Sequence, residues 1–293
     1  MTGEPQCICP VGATLGEGPV WADEALWFVD IKQRKVFRLQ PDQGTIREWT
    51  APAQIGWVLP AAGGGFLAGL QTGLHRFDPE SGTFSLLATV EPDRPGNRLN
   101  DACTDPQGRL WFGSMDDGEA EPTGVIYRAD RGGIAAVAGG ISITNGPAVS
   151  PDGAILYHND TLERIIYASV IEADGTLTDT RVFARLSLEE GYPDGPVVDS
   201  DGHVWVGLWG GWSVRRYAPS GALVATMRLP VANVTKIAFG GPGLTTAYAT
   251  TASKGLSEEE RATQPLAGHV FAFDAGVAGQ AVTPVETIGT QRI

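Results

Sequence analysis

The chain has 293 residues, 42% of them hydrophobic, with 39 glycines and a formal net charge of −13. That apolar content supports a substantial core, and so many glycines favour tight turns over long helices. The acidic balance argues against nucleic acid or an anionic membrane surface as the main partner, since both would repel it.

The first residues, MTGEPQCICP, have no basic start and no apolar run, so no secretory signal is expected. No window approaches 18 apolar residues, so no membrane span is expected either. Cys7, Cys9 and Cys103 are too few and too unevenly spaced for a disulfide framework. They suit a reducing compartment and read as buried spectator thiols. A cytoplasmic protein is expected.

Further along, short apolar stretches recur. The first of each pair is Ala25–Val29, Gly65–Ala68, Arg109–Gly113, Ala154–Tyr157, His203–Gly207 and Thr246–Ala249. The second is Lys35–Leu39, Leu74–Phe77, Val125–Arg128, Ile165–Ala168, Val214–Tyr217 and His269–Phe273. Turns of type Asp/Ser-x-x-Gly precede three of the first set, at Asp105–Gly108, Ser150–Gly153 and Asp199–Gly202. Aromatics at 27, 66, 111, 157, 205 and 248 are 39, 45, 46, 48 and 43 residues apart. A period of this size built from short strands predicts the blades of an all-β, six-bladed β-propeller rather than an open sandwich. One such domain would span residues 1–293, with Cys7–Thr14 supplying the strand missing from the last blade and removing an open edge. Gly255–Pro265 reads as the one convincing helical turn, capped by Ser257 with Glu258–Glu260 in its first turn.

Four polar segments lead into this repeat: Gly16-Glu17-Gly18-Pro19, Leu99-Asn100-Asp101-Ala102, Thr144-Asn145-Gly146-Pro147 and Pro193-Asp194-Gly195-Pro196. Equivalent positions in a radial repeat converge on its axis, which would gather Glu17, Asn100, Asn145 and Asp194 at one mouth of the central channel. Asn or Asp before Gly-Pro also serves as a turn residue. A Glu between two glycines has no such advantage. One Glu, one Asp and one Asn in register make an all-oxygen set suited to a hard divalent cation.

Competing chemistries find little support. The four histidines (His75, His158, His203, His269) are not paired at zinc-ligand spacing, and there is no G-x-S-x-G. The runs Gly63–Gly65 and Gly240-Gly241 lack the Lys-Ser/Thr or the helix of a phosphate cradle. Asp116-Asp117 and Glu189-Glu190 read as solvated loops.

At these residues the chain resembles the SMP-30/gluconolactonase family (regucalcin-like), and within it bacterial aldonolactonases such as xylonolactonases. The matching segments are Leu15–Trp21, Leu26–Asp30, Arg98–Asp101, Gly108–Met115, Ile143–Pro147, Tyr192–Gly195 and Asn233–Lys236, in order along nearly the whole chain. The resemblance implies a six-bladed propeller with one divalent ion at a channel mouth, held by Glu17, Asn145 and Asp194. Arg98 and Asn100 match the family's substrate-contacting Arg-x-Asn, with Asn100 closest to the metal. The family's substrate-contacting acid falls here at Gly118, between Asp117 and Glu119, so neither acid inherits that role. Family members use calcium, zinc, magnesium, manganese or ferrous iron, and an oxygen donor set does not choose among them.

The expected activity is metal-dependent hydrolysis of a sugar-acid lactone, such as a xylono-, arabinono-, galactono- or gluconolactone, to the aldonic acid. The attacking water is expected to be activated by the metal or by Asp194 as general base, with Arg98 and Asn100 the residues that orient substrate. A monomer with no nucleic-acid or membrane partner is expected. The alternatives are a propeller hydrolase of aryl esters or organophosphates, against which the scarcity of histidine speaks, and a non-catalytic propeller that binds a partner.

Overall fold

The structure, a computed structural model, describes residues 2–289. Its strands begin with β1 (Thr2–Cys9). Blade one is β2 (Gly16–Ala22), β3 (Ala25–Asp30), β4 (Lys35–Gln40) and β5 (Thr45–Thr50); blade two is β6 (Ile55–Pro60), β7 (Phe66–Leu70), β8 (Gly73–Asp78) and β9 (Thr83–Ala88). Blade three is β10 (Asn97–Thr104), β11 (Leu110–Asp116), β12 (Gly124–Asp130) and β13 (Gly133–Ile141); blade four is β14 (Thr144–Val149), β15 (Ile155–Asp160), β16 (Ile165–Ile171) and β17 (Leu177–Arg185). Blade five is β18 (Tyr192–Val198), β19 (Val204–Trp209), β20 (Ser213–Tyr217) and β21 (Leu223–Arg228). Blade six is β22 (Val234–Gly240), β23 (Thr246–Thr251) and β24 (Val270–Asp274), completed by β1.

Each blade is an antiparallel four-stranded sheet. The innermost strands β2, β6, β10, β14, β18 and β22 lie side by side around one channel, and β22 returns to β2. The chain is a six-bladed β-propeller. The ring is closed by Thr2–Cys9, not by Cys7–Thr14, because Pro10 has no N–H to continue the ladder. As the outermost strand of its blade, β1 leaves Cys7 exposed, while Cys9 is buried and Cys103 half-buried; all three are free thiols.

The second strand of each blade is packed on both faces, so β3 is buried at every residue while β5 and β9 are largely exposed. Burial on both faces demands a continuous apolar run, the pattern that marks these strands in the sequence. Their aromatics pack between blades: Trp27 of blade one lies 4.3 Å from Phe66 of blade two, and Trp205 of blade five meets Phe239 of blade six edge-on at 5.4 Å. Each such ring contributes about 1.5–3 kcal/mol through burial. The three turns form as expected, with Gly108, Gly153 and Gly202 at φ of 76°, 74° and 82°. Two of them carry a second device, since Asp105 and Asp199 accept the indole N–H of Trp111 and Trp205, both at 2.8 Å. The helix α1 (Glu258–Thr263) starts with a capping box between Ser257 and Glu260. No helix among the described residues is long and apolar enough to cross a membrane.

The segment after β24 crosses the far face of the ring as an irregular strap. It bonds to blades six, five, two and three through Ala275, Ala278, Val285 and Glu286. Gln280 reaches the carbonyls of Val198 and Val149 at 3.0 and 3.3 Å, over that end of the channel.

Candidate active site

The inner strands carry their polar residues at a shared irregularity. Pairing with the next strand shifts register between Glu17 and Val20, Leu99 and Ala102, Asn145 and Ala148, Pro193 and Pro196, and Val234 and Ile237. A bulge re-aims the side chain beside it. These lead-in segments are therefore bulged strands rather than turns. Glycine is required at two of them: Gly18 has φ 52° and a Cβ there would sit 2.7 Å from the Gly56 carbonyl, while Gly146 has φ 83°.

Glu17, Asn100, Asn145 and Asp194 are each about 95% buried and line a common cavity of about 140 Å3 at one mouth of the channel, together with Arg98. A chain of hydrogen bonds ties them. Asp117 accepts from Arg98 Nε at 2.7 Å, Arg98 Nη1 donates to Asn100 Oδ1 at 2.5 Å, and Asn100 Nδ2 donates to Asn145 Oδ1 at 2.9 Å. Asn145 Nδ2 then donates to Thr161 Oγ1 at 2.8 Å, whose hydroxyl donates to the Pro193 carbonyl. Asn159 donates to the Asp194 carbonyl from behind. Asn100 thus uses both ends of its amide to brace Arg98 and Asn145.

Glu17 and Asp194 line the cavity together, near enough for each to perturb the other's carboxyl. Burial pushes Glu17 up to about 7, reinforced by the charge of Asp101 and partly offset by the Gly18 N–H and Lys236. Burial, followed by the charges of Glu17 and Asp101, pushes Asp194 well above the usual carboxylate range. Nearby, Asp101 is paired with Lys236, which donates to both carboxylate oxygens at 2.6 and 2.7 Å. Three carboxylates against one ammonium leave two negative charges when all are ionised, the charge that one divalent cation cancels. Among the described residues no three His, Cys, Asp or Glu side chains gather into a metal site. The donors here are two carboxylates and an amide oxygen, and this all-oxygen set fits a hard cation.

Several mouth residues have no function legible in the sequence. Asp117 is no solvated acid: it takes Lys32 Nζ, Arg98 Nε and Gln54 Nε2 at 2.6, 2.7 and 2.9 Å, and these contacts hold its carboxyl far below its ordinary range despite partial burial. Glu190 likewise accepts from Arg215 at 2.6 Å. Lys236 and Asp101 lie 135 residues apart; the available signal was a lysine inside the apolar stretch Val234–Phe239, since a buried lysine needs an acid. None of the four histidines lines this cavity.

A closed ring of six blades with an acidic, oxygen-lined pocket at one channel mouth defines a propeller with a small-ligand site of hard-donor chemistry. The chain belongs to the SMP-30/gluconolactonase/LRE-like family, whose profile matches residues 15–253. It is 36% identical over 286 residues to the L-arabinolactonase of Azospirillum brasilense, covering 95% of this chain and 94% of that one. It is 34% identical over 280 residues to the 6-deoxy-6-sulfogluconolactonase of Pseudomonas putida, covering 94% and 96%. Among solved structures, the calcium-binding protein regucalcin from Agrobacterium tumefaciens superposes with a TM-score of 0.92 at 27% identity, over 97% of this chain and 98% of that one.

Proposed function

We propose that this chain, a lactonase by family, hydrolyses a sugar-acid lactone to the aldonic acid with the help of one divalent cation. The observation that carries the reading is the buried Glu17–Asp194 carboxyl pair, set beside Asn145 in a cavity of about 140 Å3. Two such acids in contact are costly to ionise without a cation between them. Glu17, Asn145 and Asp194 would hold it. When bound, such an ion supplies Lewis-acid stabilisation of the charge that develops on the lactone carbonyl oxygen.

The chain's own residues do the rest. Asp194 takes a proton from the water that adds to the carbonyl carbon. The ring C–O bond then breaks and its oxygen collects that proton, leaving a hydroxy acid that ionises at neutral pH. Arg98, fixed by Asp117 and Asn100, holds the ring oxygens and hydroxyls in place. Leu15, Met115, Ile143 and Leu162 wall the cavity and limit water around the reacting centre. A volume well under the roughly 300–1,000 Å3 of drug-sized pockets suits a substrate the size of a single sugar ring. The proposal extends to a cytoplasmic monomer, in keeping with three unpaired cysteines.

Proton release over a panel of aldonolactones tests this, before and after chelation and with each metal restored. Hydrolysis above the spontaneous rate that is lost to the chelator and regained with one or more divalent ions is expected. Activity at the spontaneous rate for every lactone and metal would leave a binding propeller as the better reading.

A further inference from the structure

Two residues roof the cavity from separate blades. Glu119, in the turn after β11, and Lys254, in the loop after β23, form an ion pair across the mouth. Both line the cavity that holds Glu17, Asn145 and Asp194. Each is anchored from behind. The Asp116 carboxylate accepts the N–H groups of Gly118, Ala120 and Glu121 at 3.0–3.2 Å, which sets the turn that carries Glu119. The Lys254 backbone donates to the Thr14 carbonyl at 2.8 Å and accepts from Asn233 Nδ2 at 3.0 Å, while its ammonium lies 6.0 Å from the ring of Trp209. The side chains of Lys254 and Glu119 are 31% and 37% exposed, so the pair faces solvent as well as cavity.

The other cations of this mouth are already matched. Lys32 and Arg98 share Asp117, and Lys236 is held by Asp101. Lys254 is thus the cation of the roof, and Glu119 cancels it. We propose that Glu119 is a specificity-determining residue. By neutralising Lys254 it selects lactones whose arm distal to the carbonyl is an uncharged polyol, and rejects those whose arm carries a sulfonate, phosphate or carboxylate. A hydroxyl donates and accepts, so it can bond either partner of the roof. An anion satisfies Lys254 alone and sets a like charge beside Glu119, a repulsive element that discriminates without any loss of contacts to the preferred substrate. This rests on the lactonase reading.

The test compares gluconolactone with 6-deoxy-6-sulfogluconolactone, which differ at the distal carbon, in wild type, Glu119→Gln, Lys254→Met and the charge-exchanged double variant. The quantity read is the ratio of kcat/KM, sulfonated over neutral. Glu119→Gln should raise it about tenfold or more, mainly through KM, with the gain shrinking at high salt. Lys254→Met should not raise it, and the charge-exchanged pair should stay within about threefold of wild type. A ratio that moves less than twofold in Glu119→Gln, or a gain indifferent to salt, overturns the proposal. A second measurement needs no turnover: NMR titration with glucose and 6-deoxy-6-sulfoglucose. Glu119→Gln should tighten the sulfonated sugar alone; equal effects on both sugars, or none, overturn the role of Glu119. Absence of wild-type turnover would count against the lactonase reading, while the sugar titration would still decide the role of Glu119.

Discussion

Lys236 of the innermost strand of blade six reaches both carboxylate oxygens of Asp101 in blade three, at 2.6 and 2.7 Å, with both side chains almost fully buried. Asp101 Oδ2 also accepts the Gly146 N–H at 3.0 Å, beside Asn145. One ion pair therefore ties three blades together just beneath the candidate ligands.

Lys236→Met should leave Asp101 buried without its cation and cost about 3–5 kcal/mol, because the desolvation of the remaining charge is no longer offset. Urea unfolding measures this. The double variant Lys236→Met/Asp101→Asn should recover part of the loss, since no buried charge remains. A cost below about 1 kcal/mol for the single change would show that water reaches Asp101.

Glu17→Gln and Asp194→Asn should each abolish metal-dependent turnover and weaken metal binding by about 100-fold or more, with the fold intact. Calorimetric metal titration beside a melting curve separates the two effects. The pH dependence has a definite sign. The pKa of Glu17 in the folded, metal-free protein is raised from 4.5 to about 7. A raised carboxyl favours the folded state below its unfolded pKa and loses that contribution as pH climbs through 7. Metal-free Glu17→Gln should then gain stability relative to wild type above pH 7, on the order of 2–3 kcal/mol. Metal uptake near neutral pH should release protons, visible as a dependence of the apparent enthalpy on buffer.

Asn100→Ala removes the brace between Arg98 and Asn145 along with three hydrogen bonds. It should lower kcat/KM about 10- to 1,000-fold through misplacement of both neighbours, and cost about 1–3 kcal/mol of stability. Normal kinetics in a destabilised protein would confine Asn100 to a structural role.

His158 offers a control outside the site. It is buried against Tyr167 with its Nδ1 unpartnered, and burial holds its pKa down at about 4. A histidine kept neutral in the fold but free to protonate when unfolded costs stability as pH falls below 6.5, levelling near 4 and amounting to about 3 kcal/mol. His158→Phe should flatten the stability–pH curve in that window. An unchanged slope would show that other groups dominate acid unfolding.

The repeat was legible because burial on both faces forces each second strand into an apolar run that includes an aromatic, at 39- to 48-residue intervals from residue 27 to 248. Such local demands also exposed the Ser257 cap and the three turns. The chain by itself further singled out Glu17, Asn100, Asn145 and Asp194, since a fixed place in a radial repeat is a fixed place around the axis, and the structure gathers all four in one cavity. What joins different blades was invisible in linear order: Asp101 with Lys236, Asp117 with Lys32, Glu119 with Lys254, and the strap that ends on blades two and three. Each of these depends on side chains or backbone far apart in the chain, brought within bonding distance only when the ring closes. The strand that closes it was placed a few residues late for a related reason, because its partner, β24, is the last strand of the propeller.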